Sequence, residues 1–111
     1  MAAQSMLQPA LLQPAGPARA QLSGDLTHKT VVDVLPQGLA LLQQAGDEWT
    51  INLQQVGQVS SAGVALLLEW LRAATALNKA LYIECLPEHM EPIIRISDLE
   101  PVFGPLLRPA A

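Results

Sequence analysis

The sequence predicts a small α/β domain on a mixed β-sheet, with an N-terminal hairpin and helices packed on one face. Apolar and polar residues alternate in three short stretches, at 18–23, 49–53 and 81–85, the period of strands with one wet face. Helical patterns fill the gaps between these stretches, and strands separated by helices pair in parallel through crossovers. A chain of 111 residues suits one domain, 1–111, with a core over about 11–103 and short flexible ends.

The first element is a hairpin. Ala18, Ala20 and Leu22 alternate with Arg19, Gln21 and Ser23, and PAGP at 14–17 supplies the turn. Pro9 and Pro14 suit an edge strand, since neither can donate to a ladder. SGDLTHKT at 23–30 breaks the strand. Leu35, Leu39 and Leu42 then mark a helix, strongest over 38–44. Pro36 either starts this helix or kinks it, and Gly46 and Asp47 close it. In EWTINLQQV, Trp49, Ile51 and Leu53 share one side, Thr50 and Asn52 the other, and Gly57 ends the strand. A long helix follows over about 61–78. In ALYIEC, Leu81, Ile83 and Cys85 oppose Tyr82 and Glu84, and Pro87 stops the strand. A last helix starts near Pro87 or Glu88 and ends before Pro101, with Pro92 in its first turn or at a break. The order is β-β-α-β-α-β-α. Alternation, rather than continuous apolar runs, implies one sheet face under helices and one only partly covered.

Half of the residues are apolar, 14% are charged, and the net charge is −4. That is little charge for a free monomer, where about 25% is usual, so some apolar surface is expected to lie under a partner. The basic residues Lys29, Lys79, Arg19, Arg72, Arg95 and Arg108 are scattered singly, which argues against nucleic-acid binding and a basic membrane-surface helix. The lone Cys85 cannot form an internal disulfide and suits a reducing compartment. The run over 64–68 is too short to span a bilayer. Met1 to Ser5 carries no basic side chain, and prolines interrupt the apolar run that follows, so no signal peptide is expected despite ARA at 18–20. The expected location is cytoplasmic.

Catalytic chemistry finds little support. QVGQVSSAGV lacks the lysine of a phosphate loop, no G-x-S-x-G elbow is present, and no Cys/His cluster has metal-ligand spacing. His28 and His89 are expected at the surface. Glu84, Glu88 and Glu91, with Asp47 and Glu48, are expected in solvated turns and helix faces, and Cys85 in the core. No cofactor, metal or catalytic residue is therefore assigned.

The most informative stretch is QVSSAGVALLLEW, 58–70, where a strand leads into the long helix. Ser60 or Ser61 can cap the free N–H groups of the helix, a contribution of about 1 kcal/mol. The same hydroxyls can be phosphorylated against the positive end of the helix dipole. Ser60, Ser61, Ala62 and Gly63 are also small enough to let a partner backbone approach. At about 100° per residue, Val64, Leu67, Leu68, Leu71 and Ala74 share the side that should face the sheet. Leu66, Trp70, Ala73 and Leu77 form a second stripe. It either packs on a neighbouring helix or stays partly open as a docking face anchored by Trp70.

LSGDLT, INLQQVGQVSSAGVALLLEWLRAA and LYIECLP together resemble the STAS domain family, over about 11–103. Within it, AGVALLLEW and LSGDL are most similar to the MlaB-like branch. The resemblance implies a STAS fold without catalysis of its own. It implies binding to an MlaF-like ATPase subunit of a phospholipid ABC transporter, beside permease and substrate-binding subunits. The domain would then be peripheral to the inner membrane of a Gram-negative cell and maintain lipid asymmetry. The other branch in view is the phosphorylation-regulated anti-sigma factor antagonists. By position, Ser61 takes the place of the family's regulatory Ser or Thr, Ser60 replaces the preceding Asp, and Gly63 matches the family glycine.

Overall fold

A computed structural model describes residues 8–109. The strands are β1 (Leu11–Pro14), β2 (Arg19–Leu26), β3 (Glu48–Val59), β4 (Ala80–Glu84) and β5 (Leu107–Arg108). The α-helices are α1 (Val31–Gln44), α2 (Ser61–Ala76), α3 (Glu91–Ile96) and α4 (Glu100–Phe103), with 3-10 turns at Glu88–Met90 and Gly104–Leu106. The sheet order is β1-β2-β3-β4-β5. β1 pairs antiparallel with β2, and the remaining neighbours pair in parallel. The predicted hairpin and mixed sheet are present.

Alternation places the core as expected. Ala20, Leu22, Trp49, Ile51, Leu53, Leu81 and Ile83 are buried under α1 and α2. Trp70 joins these layers. Its side chain is 0% exposed and meets Trp49 edge to face, ring centroids 5.5 Å apart at 75°. Its Nε1–H donates to the carbonyl of Leu35 in α1 at 3.1 Å, so the buried indole nitrogen is satisfied. The ring lies directly on Gly38, where any Cβ would overlap it. A glycine in mid-helix weakens the helix by about 1 kcal/mol, and here it admits the indole.

Helix ends are tied locally. Asn78 adopts φ 58°, and Lys79 N donates to Ala74 O at 2.8 Å, the left-handed cap that stops α2 at Ala76 rather than Asn78. Lys79 Nζ then donates to the carbonyls of Leu42 and Ala45 at 2.8 and 2.6 Å, placing a cation at the C-terminus of α1.

Several expectations need correction. β2 continues through SGDL to Leu26, with register shifts against β3 around Leu22 and Asp25, because Gly24 adopts φ 89° and absorbs the irregularity. β3 runs through Gly57 to Val59, because β2 remains beside it. α1 begins at Val31, ahead of Pro36. Pro36 costs the bond to the carbonyl of Val32, which is 62% exposed, so water can take that acceptor. The last helix is broken into α3 and α4, and β5 was not expected, since two residues carry no readable period.

Glu84 and Cys85 exchange their predicted environments. β4 ends at Glu84, and Cys85 turns out at φ 57° and is only half-buried. Glu84, expected in solvent, is 4% exposed on the open sheet face. Arg19 reaches across β3 to bond its carboxylate, and Asn52 Nδ2 donates to the same oxygen at 3.3 Å. Nearby, Arg108 lies over the Tyr82 ring, 3.9 Å from its centroid. The Arg19 hydrogen bond is the main cause that holds the Glu84 carboxyl below its usual pKa, with Asn52 adding to it and burial opposing both.

Two predictions arise here. Gly38→Ala is expected to destabilise the domain by about 1–3 kcal/mol through overpacking on Trp70. Gly46→Ala, which meets open space, is the comparison, and equal denaturation midpoints for the two would refute the fit. Secondly, a lowered folded pKa means that the Arg19–Glu84 pair stabilises fully above the unfolded carboxylate value, 4.5. That stability is lost as pH falls through the lower folded value. Arg19→Met should flatten the acid limb of a stability–pH curve, and an unchanged limb would count against it.

Candidate functional site

Parallel pairing brings the C-terminal ends of β2 and β3 to one rim of the sheet, with the N-termini of α1 and α2 above them. Ser60 takes the extended cap conformation, φ −102° and ψ −177°. Its N–H donates to Leu26 O at 2.9 Å, anchoring the cap to β2. Its Oγ accepts from Ala62 N at 3.1 Å. Ser60 is therefore the cap. Ser61 is the first helical residue and is exposed, and among the described residues no group hydrogen-bonds its hydroxyl. No acidic side chain lies in the first turn of α2.

The other two small residues behave differently. Ala62 is half-buried. Gly63 is buried, and a Cβ there would stand 2.6 Å from Val59 Cγ1 and 3.0 Å from Leu26 Cβ. Gly63 is small so that α2 can sit against β2 and β3, not so that a partner can approach. Of the four residues, Ser60 and Ser61 are the ones open to another protein.

The docking stripe on α2 is also corrected. Leu66 is 3% and Trp70 0% exposed, and Trp70 packs on Leu35 and Gly38 of α1. Ala73 is half-buried against the same core, and only Leu77, at 42%, remains open. Leu68 and Leu71, assigned to the sheet side, are half-buried at its margin. The structure thus selects the neighbouring-helix alternative for the stripe.

Asp25 and His89 complete the rim; Asp25 lies in the LSGDLT stretch and His89 was expected at the surface, but neither was assigned to the site. Asp25 is buried, its Oδ1 accepting from Gln58 N and its Oδ2 from Gln8 N, both at 2.9 Å. Thr30 Oγ1 donates to the Asp25 carbonyl at 2.5 Å. Asp25 thereby holds three segments at the base of the rim. The exposed His89 donates from Nε2 to Gly57 O at 2.7 Å. An open groove of about 630 Å³ lies among Gln8, Asp25, Gly57, Gln58 and His89. Among the described residues no cluster of His, Cys, Asp or Glu could hold a metal ion.

The family model described as Mlab, STAS domain matches residues 12–108. The chain belongs to the STAS domain family. This STAS domain is similar in structure to the anti-sigma factor antagonist SpoIIAA in its unphosphorylated form, with a TM-score of 0.70 and 19% identity over 92% of this chain and 88% of that one. The phosphorylated form of the Bacillus cell fate determinant SpoIIAA aligns at 0.68 and 20% identity, over 92% of this chain and 91% of that one. An anti-sigma factor antagonist from Mycobacterium paratuberculosis aligns at 0.67 and 17% identity, over 99% and 92%. At these identities the likeness shows the fold. A search of curated proteins finds no match.

The cap assignment gives a prediction. Ser60→Ala should cost about 1 kcal/mol, and Ser61→Ala should stay within about 0.5 kcal/mol of the parent. Thermal or urea unfolding separates them, and the reverse order would reassign the cap.

Proposed function

We propose that this STAS domain is a non-catalytic subunit that binds and supports the ATPase of an inner-membrane phospholipid ABC transporter. Its partner in this reading is an MlaF-like ATPase, within a complex that also holds permease and substrate-binding subunits. The domain would sit at the cytoplasmic face of the inner membrane, held there by the complex. Among the described residues, no helix is long and apolar enough to cross a membrane.

One observation carries the reading. The family model is that of Mlab domains, and the matching helix start presents two exposed serines with no acidic side chain beside them. A helix start with small hydroxyls and no acidic side chain in its first turn suits a standing protein contact. Ser60, in the place of the family's aspartate, leaves Ser61 without the neighbouring carboxylate of phosphorylated antagonists.

A second reading, a phosphorylation-regulated anti-sigma factor antagonist, is favoured by the likeness to SpoIIAA in its phosphorylated form and by the free hydroxyl of Ser61 at the positive end of α2.

Affinity purification of the tagged chain from its own cells tests both. The expected result is recovery of a transporter ATPase. Ser61→Trp and Ser61→Glu should each weaken that contact by tenfold or more, about 1.4 kcal/mol, without loss of thermal stability. Recovery of a serine kinase and phosphate on Ser61 would instead establish the second reading.

A further inference from the structure

β3 is longer than its neighbour on one side. It pairs with β4 only from Glu48↔Ala80 to Asn52↔Glu84, but it stays beside β2 as far as Val59. Beyond Glu84, Cys85 turns the chain away at φ 57°. Among the described residues, 53–59 therefore have a strand on one side and none on the other.

The direction of the backbone groups identifies what is left unpaired. Ser60 N donates to Leu26 O, and Gln58 N to Asp25 Oδ1, both toward β2. Backbone groups of successive strand residues point to opposite sides, so Gly57 and Val59 direct theirs toward the gap beyond β4. The bond from His89 Nε2 to Gly57 O confirms that direction. Among the described residues, no backbone group from beyond β4 pairs with Gly57 or Val59.

Exposed strand edges are normally guarded by charge or proline. Here the exposed residues Gln54, Gln55 and Gln58 are uncharged, and the His89 ring bonds the Gly57 carbonyl. The open groove of about 630 Å³ runs along Val56, Gly57, Gln58 and Val59 up to that ring.

We propose that an extended segment of the partner ATPase adds to this edge as a strand, pairing with Gly57 and Val59 and displacing His89 from Gly57 O. The inference rests on the partner reading above and specifies the chemistry of the contact. Main-chain groups two residues apart, about 7 Å along a strand, match an extended polypeptide. Val59 adjoins Ser60, so one partner can cover both the serines and the edge. Glu88 and Glu91 flank His89 in the chain and are exposed, which favours a segment carrying a basic residue.

The test is amide hydrogen exchange on the full chain, free and in complex with the transporter ATPase of the same organism. The Gly57 and Val59 amides should slow by at least about tenfold in the complex. Gln58, already bonded to Asp25, should change little. His89→Ala should bind the ATPase at least as tightly as the parent. A complex in which both amides keep their free rates overturns the added strand and leaves the partner reading standing. Tenfold weaker binding by His89→Ala also overturns it, because the ring would then be the contact. Failure of any complex to form overturns both.

Discussion

The indole of Trp70 is the point at which the sheet and both long helices meet. It stands on α2, touches Trp49 of β3, donates to the Leu35 carbonyl of α1 and occupies the space of a side chain missing at Gly38. The contacts constrain β3 and, twice over, α1, so the separation of α1 and α2 and their height above the sheet follow from one ring. The buried N–H makes the arrangement directional. An unpaired indole donor would cost about 1–3 kcal/mol, so α1 must present a carbonyl here as well as a gap. With α1 placed in this way, α2 can come down on β2 and β3 only because Gly63 lacks a Cβ. The exposed position of Ser60 and Ser61 is a consequence of that packing.

The open face of the sheet follows a different logic. Arg19, Asn52 and Glu84 come from three adjacent strands and satisfy one another where no helix covers them. Such a group ties β2 to β4 across β3 by polar contacts. Charge is scarce in this chain, and a pair of it is spent on the sheet rather than on general solubility. The rim is arranged in the same way, with the Asp25 carboxylate accepting backbone N–H groups from two segments. The domain uses buried carboxylates as fasteners at both places.

Much of the fold was legible because its strands alternate cleanly. Trp49, Ile51 and Leu53 could be assigned to one face from period alone, as could Leu81 and Ile83. Where the period failed, so did the boundaries. Gly24 and Gly57 look like strand breakers, yet both lie within strands, because a register shift or a neighbouring carboxylate uses the missing side chain. Of the candidate site, Ser60 and Ser61 were legible from their place before an apolar helix, and the capping geometry divides their roles. Gly63 was assigned to the partner contact, and the Trp70 stripe was left between two alternatives, for the same reason. A small residue or a large aromatic on a helix looks equally suited to a partner and to a neighbouring helix.

By itself, the sequence determined the number of principal layers, the mixed sheet with its hairpin, the face of each main strand that is buried and the helix start where the serines stand. These depend on periodicity and on capping chemistry, which act over a few residues. Tertiary structure alone decided that Trp70 and Leu66 are interior, that Glu84 is buried while Cys85 is not, and that β3 outruns β4. Each of these turns on a partner distant in the chain: Leu35 for Trp70, Arg19 for Glu84, β2 for the end of β3. Local patterns record which side of an element is apolar, but not what lies across from it.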